Sequence, residues 1–448
     1  MDQIKAQAGD SRDVRVRIAP SPTGRLHIGN LRAALFNWLF ARHNGGTFVV
    51  RIEDTDRERS KQEYVDSILD AFSWVGMASD EPIVFQSQRT EIYNEQIQKL
   101  LDSGDAYWSD PLTEENGISV VRFHVPRDQA GVTFVDAIRG PITVSIDQID
   151  DFVIARSDGS PLYNFVVVVD DLLMGMTHVI RGEDHISNTP KQVLLYQALG
   201  AKALPQFAHL PLILGDSGAP LSKRDAATAV LDYKEQGYLP QALCNYLVRL
   251  GWSHGDQEIF TQREMINLFD ITDVQKAGAV FDLVKLRWMN GIYIRQETAE
   301  SLLAYLNDIL HVDVYAACPS WSHRQVRQLA TLYQDRVLTL RELEAAIVRL
   351  YKGPAKIVVQ EGFVEGSGKL LDVFLFEFNL LDEITKDLVE ALIRKICADA
   401  DVGLAALAKP LRYALTGSLE SPSIFSLLEI LGRDLVVERV AALRGVLS

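Results

Sequence analysis

Between residues 14 and 18 apolar and charged side chains alternate, Val14, Val16 and Ile18 against Arg15 and Arg17. That two-residue period predicts a half-buried strand. The period then lengthens: Leu31, Ala34, Leu35, Trp38 and Leu39 recur at the spacing of a helix face. Asn44-Gly45-Gly46 is a helix stop. The run Thr47-Phe48-Val49-Val50-Arg51-Ile52 predicts a second strand, ending in Glu53-Asp54. Strand, helix and strand open a doubly wound parallel sheet.

Helical spacing returns at Tyr64, Ile68, Leu69 and Phe72 within residues 57–75, and at Ile92, Ile97, Leu100 and Leu101 within residues 91–101. Both segments are expected to cover the sheet. After Ser103-Gly104-Asp105 the period shortens again. Residues 120–125 alternate, and 132–135 and 142–146 read as short strands around the turn Arg139-Gly140-Pro141. Residues 152–154 and 162–169 read as strands flanking the hairpin signal Ser157-Asp158-Gly159-Ser160. A strand from Thr177 then runs into the polar cluster Arg181-Gly182-Glu183-Asp184-His185, with a helix over 188–199 and a buried strand over 209–214. From 229 to 294 the pattern is helical, and beyond 295 strand patterns disappear. The expected architecture is an α/β, doubly wound, Rossmann-type parallel sheet with an inserted α+β subdomain, followed by an all-helical C-terminal half. The expected domains are residues 12–104 and 178–228 for the two halves of the parallel-sheet domain, 105–177 for the insertion, and 229–296 and 297–448 for two helical regions.

At 448 residues the chain exceeds one core, and 47% hydrophobic with 23% charged residues describes an ordinary globular protein. It shows neither an N-terminal apolar run nor a stretch fit to span a bilayer, so no membrane partner and a cytoplasmic location are expected. Met1 to Asp10 read as a polar lead-in. Cys244, Cys318 and Cys397 are too scattered for a disulfide framework or a cysteine zinc site. The net charge of −15 opposes a nucleic-acid partner unless basic residues gather locally.

Candidate chemistry sits in the turn Ala19 to Asn30, between the first strand and the first helix. Ligands of doubly wound sheets bind where strands end and helices begin. Gly24 and Gly29 allow close backbone approach, and His27 and Asn30 bring donors to a helix start that already favours phosphate. Neither GxGxxG nor GxxxxGK[ST] occurs here. Farther on, Leu221-Ser222-Lys223-Arg224-Asp225 follows Gly215 and Gly218. Two adjacent cations beside flexible glycines read, taken alone, as a solvated basic loop, or as a mobile loop that can close on a triphosphate.

The string RIAPSPTGRLHIGNLRAALFNW, Arg17 to Trp38, resembles the first signature of class I aminoacyl-tRNA synthetases in its glutamyl branch. VVDDLLMGMTHVIRGEDHISNTP, Val168 to Pro190, is similar to that branch throughout, and Leu221 to Asp225 resembles the second signature. Pro410 to Gly417, with Ser421-Pro422 beyond, is similar to the end of the family's helical anticodon-binding region. One departure is Pro220, which replaces the first lysine of the second signature.

The resemblance implies ATP-dependent activation of L-glutamate to glutamyl-adenylate and transfer to tRNA(Glu), with tRNA(Gln) left open as a second acceptor. It implies a connective subdomain at 105–177, stem-contact helices at 229–296 and an anticodon-binding region at 297–448. His27, Lys223 and Arg224 become the catalytic residues, and His27, Gly29, Asn30, Asp184, Leu214 and Lys223 the ATP site. Arg17, Ala19, Ser21, Glu53, Tyr163 and Arg181 become the glutamate site, with Arg181 on the side-chain carboxylate. Arg17 also reads as an edge-strand surface charge. Mg2+ is expected to arrive with ATP and water, without a named protein ligand. A monomer is expected. A glutaminyl relative is opposed by SPTG and Arg181, the truncated tRNA-modifying paralogue by the helical C-terminal half, and a non-catalytic tRNA binder by His27, Lys223 and Arg224.

Many relatives carry a zinc-binding cysteine cluster early in the insertion, where this chain reads Ala106-Tyr107-Trp108-Ser109-Asp110. Tetrahedral zinc needs about four N, S or O ligands. Elemental analysis of chelator-free protein is therefore expected to find no stoichiometric zinc, and one zinc per chain would overturn this.

Overall fold

The computed structural model describes residues 13–114, 117–221, 229–358, 360 and 363–447. The polar lead-in and both loop cations, Lys223 and Arg224, lie outside the described residues. The chain divides into two compact units, Met1–Tyr233 with Pro240–Leu286, and Lys234–Leu239 with Arg287–Ser448.

The first unit opens with β1 (Arg15–Ile18), α1 (Ile28–His43) and β2 (Thr47–Ile52). β2 runs parallel to β1, with Val16 opposite Phe48 and Ile18 opposite Val50. α1 is buried almost all round from Ile28 to Ala41, which makes it a central helix and not an amphipathic cover. Then come α2 (Gln62–Trp74), β3 (Val84–Phe85) parallel to β2, and α3 (Thr90–Ser103). Residues 57–61, expected within the second helix, precede it.

Next come β4 (Ala106–Trp108), β5 (Val121–Phe123), β6 (Gly131–Asp136), β7 (Gly140–Ser145) and β8 (Phe152–Ala155). β4, β5 and β8 form a three-stranded antiparallel sheet. After α4 (Tyr163–Leu173), β9 (His178–Gly182), α5 (Thr189–Ala198) and β10 (Gln206–Leu210), a second sheet has the order β7-β6-β10-β9. In it β10 lies parallel to both β9 and β6, and β7 is an antiparallel edge. Arg15 N donates to Thr177 Oγ1 at 2.8 Å, and Thr177 N to Arg15 O at 3.0 Å. These bonds set β1, at the edge of the first sheet, beside β9, at the edge of the second.

Residues 162–169 form the start of α4, not the expected strand. A continuous apolar run has no period that separates strand from helix. Phe165, Val166, Val168 and Val169 are buried in one core with Phe123, Phe152 and Phe207, and this packing overrides the strand preference of valine. The expected strand over 209–214 is broken at Pro211, which has no N–H to give a ladder. Its second part, β11 (Ile213–Leu214), pairs instead with β12 (Ala279–Val280), which lies beyond the helices Val230–Glu235, Pro240–Arg249 and Gln262–Leu268.

A buried ion cluster ties α4 to the first sheet. Arg17 donates Nε and Nη2 to the two oxygens of Asp171 at 3.0 and 3.2 Å. Arg51 Nη1 reaches Asp171 at 2.7 Å. Asp170 accepts from Arg89 Nε at 2.7 Å, Gln86 Nε2 at 2.8 Å and Tyr93 OH at 2.9 Å. Arg17 is thus an interior charge, not an edge-strand surface residue.

Among its described residues the second unit holds helices without strands, including Ala299–Leu310, His323–Gln334, Leu340–Lys352, Ala405–Thr416 and Arg433–Arg444. Arg439 donates to the carbonyls of Leu350, Tyr351 and Leu415, closing the C-terminal ends of two helices at once.

Removing one partner of a buried pair leaves an uncompensated charge. Asp171→Ala is expected to destabilise the first unit by about 3–5 kcal/mol. Glu81→Ala, which breaks an exposed pair with Arg15, should cost under about 1 kcal/mol. Denaturant dependence of amide exchange in β1 and β2 measures both; equal effects would show that the buried cluster does not hold the strands.

Candidate active site

His27 is the N-cap of α1, and its Nδ1 accepts from Gly29 N at 3.0 Å. Burial lowers its pKa, so the ring is held toward the neutral form. With Nδ1 used as acceptor, the proton sits on Nε2, which becomes a donor. A Cβ on Gly29 would stand 3.2 Å from Nδ1, so a glycine keeps this bond open. Asn30 is exposed in the same first turn.

The preceding turn is fixed by β2's continuation. Glu53 N donates to Pro20 O at 3.0 Å, and Lys61 N to Pro22 O at 3.2 Å. Ala19 is half-buried and Ser21 exposed on it. Burial pushes the Glu53 carboxyl up to about 7, although Arg51 and Arg17 pull it down.

Arg181, in β9, is buried. Its Nε donates to His209 Nε2 at 3.2 Å and its Nη2 to Thr189 Oγ1 at 2.8 Å. Nη1 is buried without a hydrogen-bond partner among the described residues. Tyr163, the first residue of α4, is 37% exposed and its hydroxyl meets His185 Nδ1 at 3.1 Å. Burial and the nearby Glu53 push the Tyr163 phenol up to about 12, with Arg181 and Arg17 opposing. Arg17, Glu53, Tyr163 and Arg181 therefore share one electrostatic neighbourhood, at the C-terminal ends of β1, β2 and β9 and the start of α4. Asp184 is exposed next to this edge, with its carboxylate turned toward Gly182.

The loop of the second signature is framed at both ends. Gly215 N donates to Ala219 O at 2.8 Å, Leu221 N to Ile213 O at 2.9 Å, and Leu214 bridges to Pro220. Gly215 and Gly218 thus close a hairpin at the base of this loop; Gly218 supplies its φ of +76°. Leu214 gives its carbonyl to Phe281 N at 2.8 Å. On the far side, Ala229 pairs antiparallel with His27, and Val230 N donates to Leu26 O at 2.9 Å. The chain leaves from β11 and returns beside His27. Arg32 of α1 donates to Leu250 O at 2.9 Å and to Pro211 O, which fixes α1 against the β10–β11 junction.

Sequence reasoning missed Arg51, Asp170 and Asp171, and also Asp136, Thr189 and His209. Two adjacent carboxylates within an apolar run were the available signal for the first group, since buried acids need partners. His209, flanked by Ala208 and Leu210, carried a similar one. Among the described residues no group of three or more His, Cys, Asp or Glu side chains is arranged to hold a metal ion. No described helix is long and apolar enough to cross a membrane.

Comparison with known proteins bears on this geometry. Residues 13–116 and 112–288 match the family of class I tRNA synthetases (E and Q), catalytic domain, and residues 297–444 match an anticodon binding domain. The chain is 41% identical over 461 residues to glutamate–tRNA ligase 2 of a Nitratiruptor species, covering 95% of this chain and 98% of that protein. It is also 41% identical over 459 residues to glutamate–tRNA ligase of Syntrophobacter fumaroxidans, covering 95% and 97%. A crystal structure of a glutamate tRNA ligase from Elizabethkingia meningosepticum, in complex with its amino acid, superposes with a TM-score of 0.88 at 30% identity, over 98% of this chain and 100% of that one. With its first-signature turn, its return strand and a helical second unit all matched, the chain belongs to the glutamate–tRNA ligase family of class I tRNA synthetases.

Proposed function

We propose that the chain joins L-glutamate to the 3′-terminal adenosine of tRNA(Glu) through a glutamyl-adenylate, using ATP. One observation supports this substrate above others: the buried Arg181 guanidinium, whose Nη1 has no hydrogen-bond partner among the described residues. A buried unpaired cation is costly and calls for an anion. The side-chain carboxylate of glutamate supplies one, whereas the amide of glutamine leaves the charge unpaired.

The other roles follow the same geometry. Glu53, beside the first-signature turn, takes the α-ammonium group. Arg17, with its Nε–Nη2 edge held by Asp171, offers Nη1 to the α-carboxylate. In the first step a carboxylate oxygen of glutamate attacks the α-phosphate and pyrophosphate leaves. Charge gathers on phosphate oxygens, so the site needs preplaced donors and no protein nucleophile. His27 Nε2–H donates to the α-phosphate, and Lys223 with Arg224 neutralises the leaving pyrophosphate. Mg2+ comes with ATP. In the second step the terminal ribose hydroxyl attacks the activated carbonyl and AMP leaves. Transfer RNA is held partly by the second unit, where Arg341, Arg349, Lys352 and Lys356 line one groove. Such a local basic surface overcomes the overall negative charge. The protein acts as a cytoplasmic monomer. Aminoacylation of purified tRNA(Glu) with glutamate tests the reading, and the same assay with tRNA(Gln) establishes the range of acceptors; failure to charge either would overturn it.

The family resemblance implies that glutamate is activated only with tRNA bound, so pyrophosphate exchange should appear on tRNA addition. In that assay His27→Ala should lose about 10²-fold, the scale of one transition-state donor. Lys223→Ala should be at least as damaging, because Pro220 contributes no charge to the loop, and Pro220→Lys should be tolerated. Exchange without tRNA, or a fully active His27→Ala enzyme, would remove the corresponding assignment.

The raised Glu53 pKa sets a pH dependence. Below about 7 its carboxyl is protonated and cannot pair with an ammonium. Glutamate binding in that range must expel the proton, so KM for glutamate should rise as pH falls through about 7, up to tenfold per unit. Glu53→Gln should raise KM at high pH and flatten the profile. A wild-type profile flat between pH 6 and 8 would place Glu53 outside the glutamate site.

A further inference from the structure

Behind Arg181 lies a chain of buried groups without an assigned role. Asp136 ends β6, His209 lies in β10 and Arg181 in β9, and these strands are neighbours, with Phe207 opposite Asp136 and His209 opposite Arg181. The side chains of Asp136 and His209 are both fully buried. Asp136 Oδ1 accepts from Ile138 N at 3.0 Å and Arg139 N at 2.9 Å. Its Oδ2 accepts from His209 N at 3.0 Å and meets the ring Nδ1 at 2.6 Å. His209 Nε2 in turn faces Arg181 Nε at 3.2 Å and Thr189 Oγ1 at 3.1 Å.

This geometry permits one protonation pattern. An ionised Asp136 only accepts, so His209 Nδ1 must carry a proton. Arg181 Nε only donates, so His209 Nε2 must present its lone pair. A ring protonated at both nitrogens would set two donors against each other beside a guanidinium. The groups facing His209 agree: burial lowers its pKa, Arg181 and Arg139 add to that, and only Asp136 opposes them. His185, across Arg181, is likewise held toward the neutral form by burial.

We propose that Asp136 and His209 are positioning residues for amino-acid selection: Asp136 fixes the tautomer of His209, and His209 with Thr189 holds the Nε–Nη2 edge of Arg181 so that Nη1 is aimed at the substrate's side-chain carboxylate. This rests on Arg181 being the glutamate-selecting cation. The partners are neutral at the point of contact, which leaves the arginine its full charge for the ligand. A carboxylate in place of His209 would hold the guanidinium equally well but neutralise it, and selectivity for glutamate over glutamine would be lost.

The test uses the full chain with tRNA, reading KM for glutamate, KM for ATP, kcat, and the glutamate-to-glutamine ratio of kcat/KM. Asp136→Asn supplies an amide where Oδ2 stood and favours the wrong ring tautomer. It should raise KM for glutamate by about tenfold or more and lower the selectivity ratio, with KM for ATP moving less than about threefold. The two His209 variants separate positioning from packing. His209→Gln can place an amide oxygen near the Nε2 position and should stay within about fivefold of wild type in KM for glutamate, whereas His209→Asn is too short and should match Asp136→Asn. Thr189→Val keeps the shape without the hydroxyl, and serves if the Asp136 variant does not fold; it should raise KM for glutamate alone. If Arg181→Ala leaves glutamate kinetics unchanged, the substrate reading itself falls. If Arg181→Ala is damaging while Asp136→Asn, His209→Asn and Thr189→Val leave KM for glutamate unchanged, or raise KM for ATP equally, the positioning role is refuted.

Discussion

The structure of the first unit depends on how Asp170 and Asp171 are neutralised inside it. Two adjacent carboxylates at the end of α4 are fully buried, and each is met by arginine from a different element: Arg17 from β1, Arg51 from β2, Arg89 from the start of α3. An interior ion cluster of this kind adds little net stability over apolar packing, because desolvation offsets attraction. What it contributes is position. Only one placement of α4 against β1 and β2 gives both acids their partners, and any slip leaves a bare charge. Burial acting alone would push Asp171 up, yet Arg17 and Arg51 hold it down at about 2. The same arrangement brings Tyr163, at the other end of α4, to the edge where Glu53 and Arg181 lie.

Local pattern revealed most of this fold. The first strand–helix–strand unit was legible because its periods change within a few residues of real stop signals. The return strand was legible because it ends in a polar cluster. Two kinds of feature were not. The run from Leu162 to Val169 is apolar on every side, and burial on every side erases the period that separates helix from strand. Asp136 and His209 are 73 residues apart and meet only when β6 lies beside β10; neither sits in a local motif. The tight turn at Gly215 and Gly218 was not legible for a related reason. Glycine permits both an open loop and a tight turn, and the choice was made by backbone bonds to Ile213 and Ala219.

The two arginines of the proposed glutamate site are held in opposite ways. Arg17 is gripped by a carboxylate and so arrives partly neutralised. Arg181 is gripped by an imidazole and a hydroxyl and keeps its charge. A hydrogen bond to a charged group contributes about 1.5–3 kcal/mol, roughly twice a neutral one. Orientation by neutral partners therefore reserves the stronger interaction for the substrate.

The buried charges of the whole edge are balanced within the protein. Arg17, Arg51 and Arg89 stand against Asp170, Asp171 and an ionised Glu53, and that group sums to zero. His27 and His209 are held toward their neutral forms. Arg181 and the ionised Asp136, separated by the neutral His209, also sum to zero; what remains is the Nη1 of Arg181, without a hydrogen-bond partner among the described residues. In the proposed site the side-chain carboxylate of glutamate accepts from it, and the amide of glutamine offers only an uncharged acceptor. In that proposal it is the charge of the side chain that separates glutamate from its amide, and the separation depends on a guanidinium that the fold orients through neutral partners.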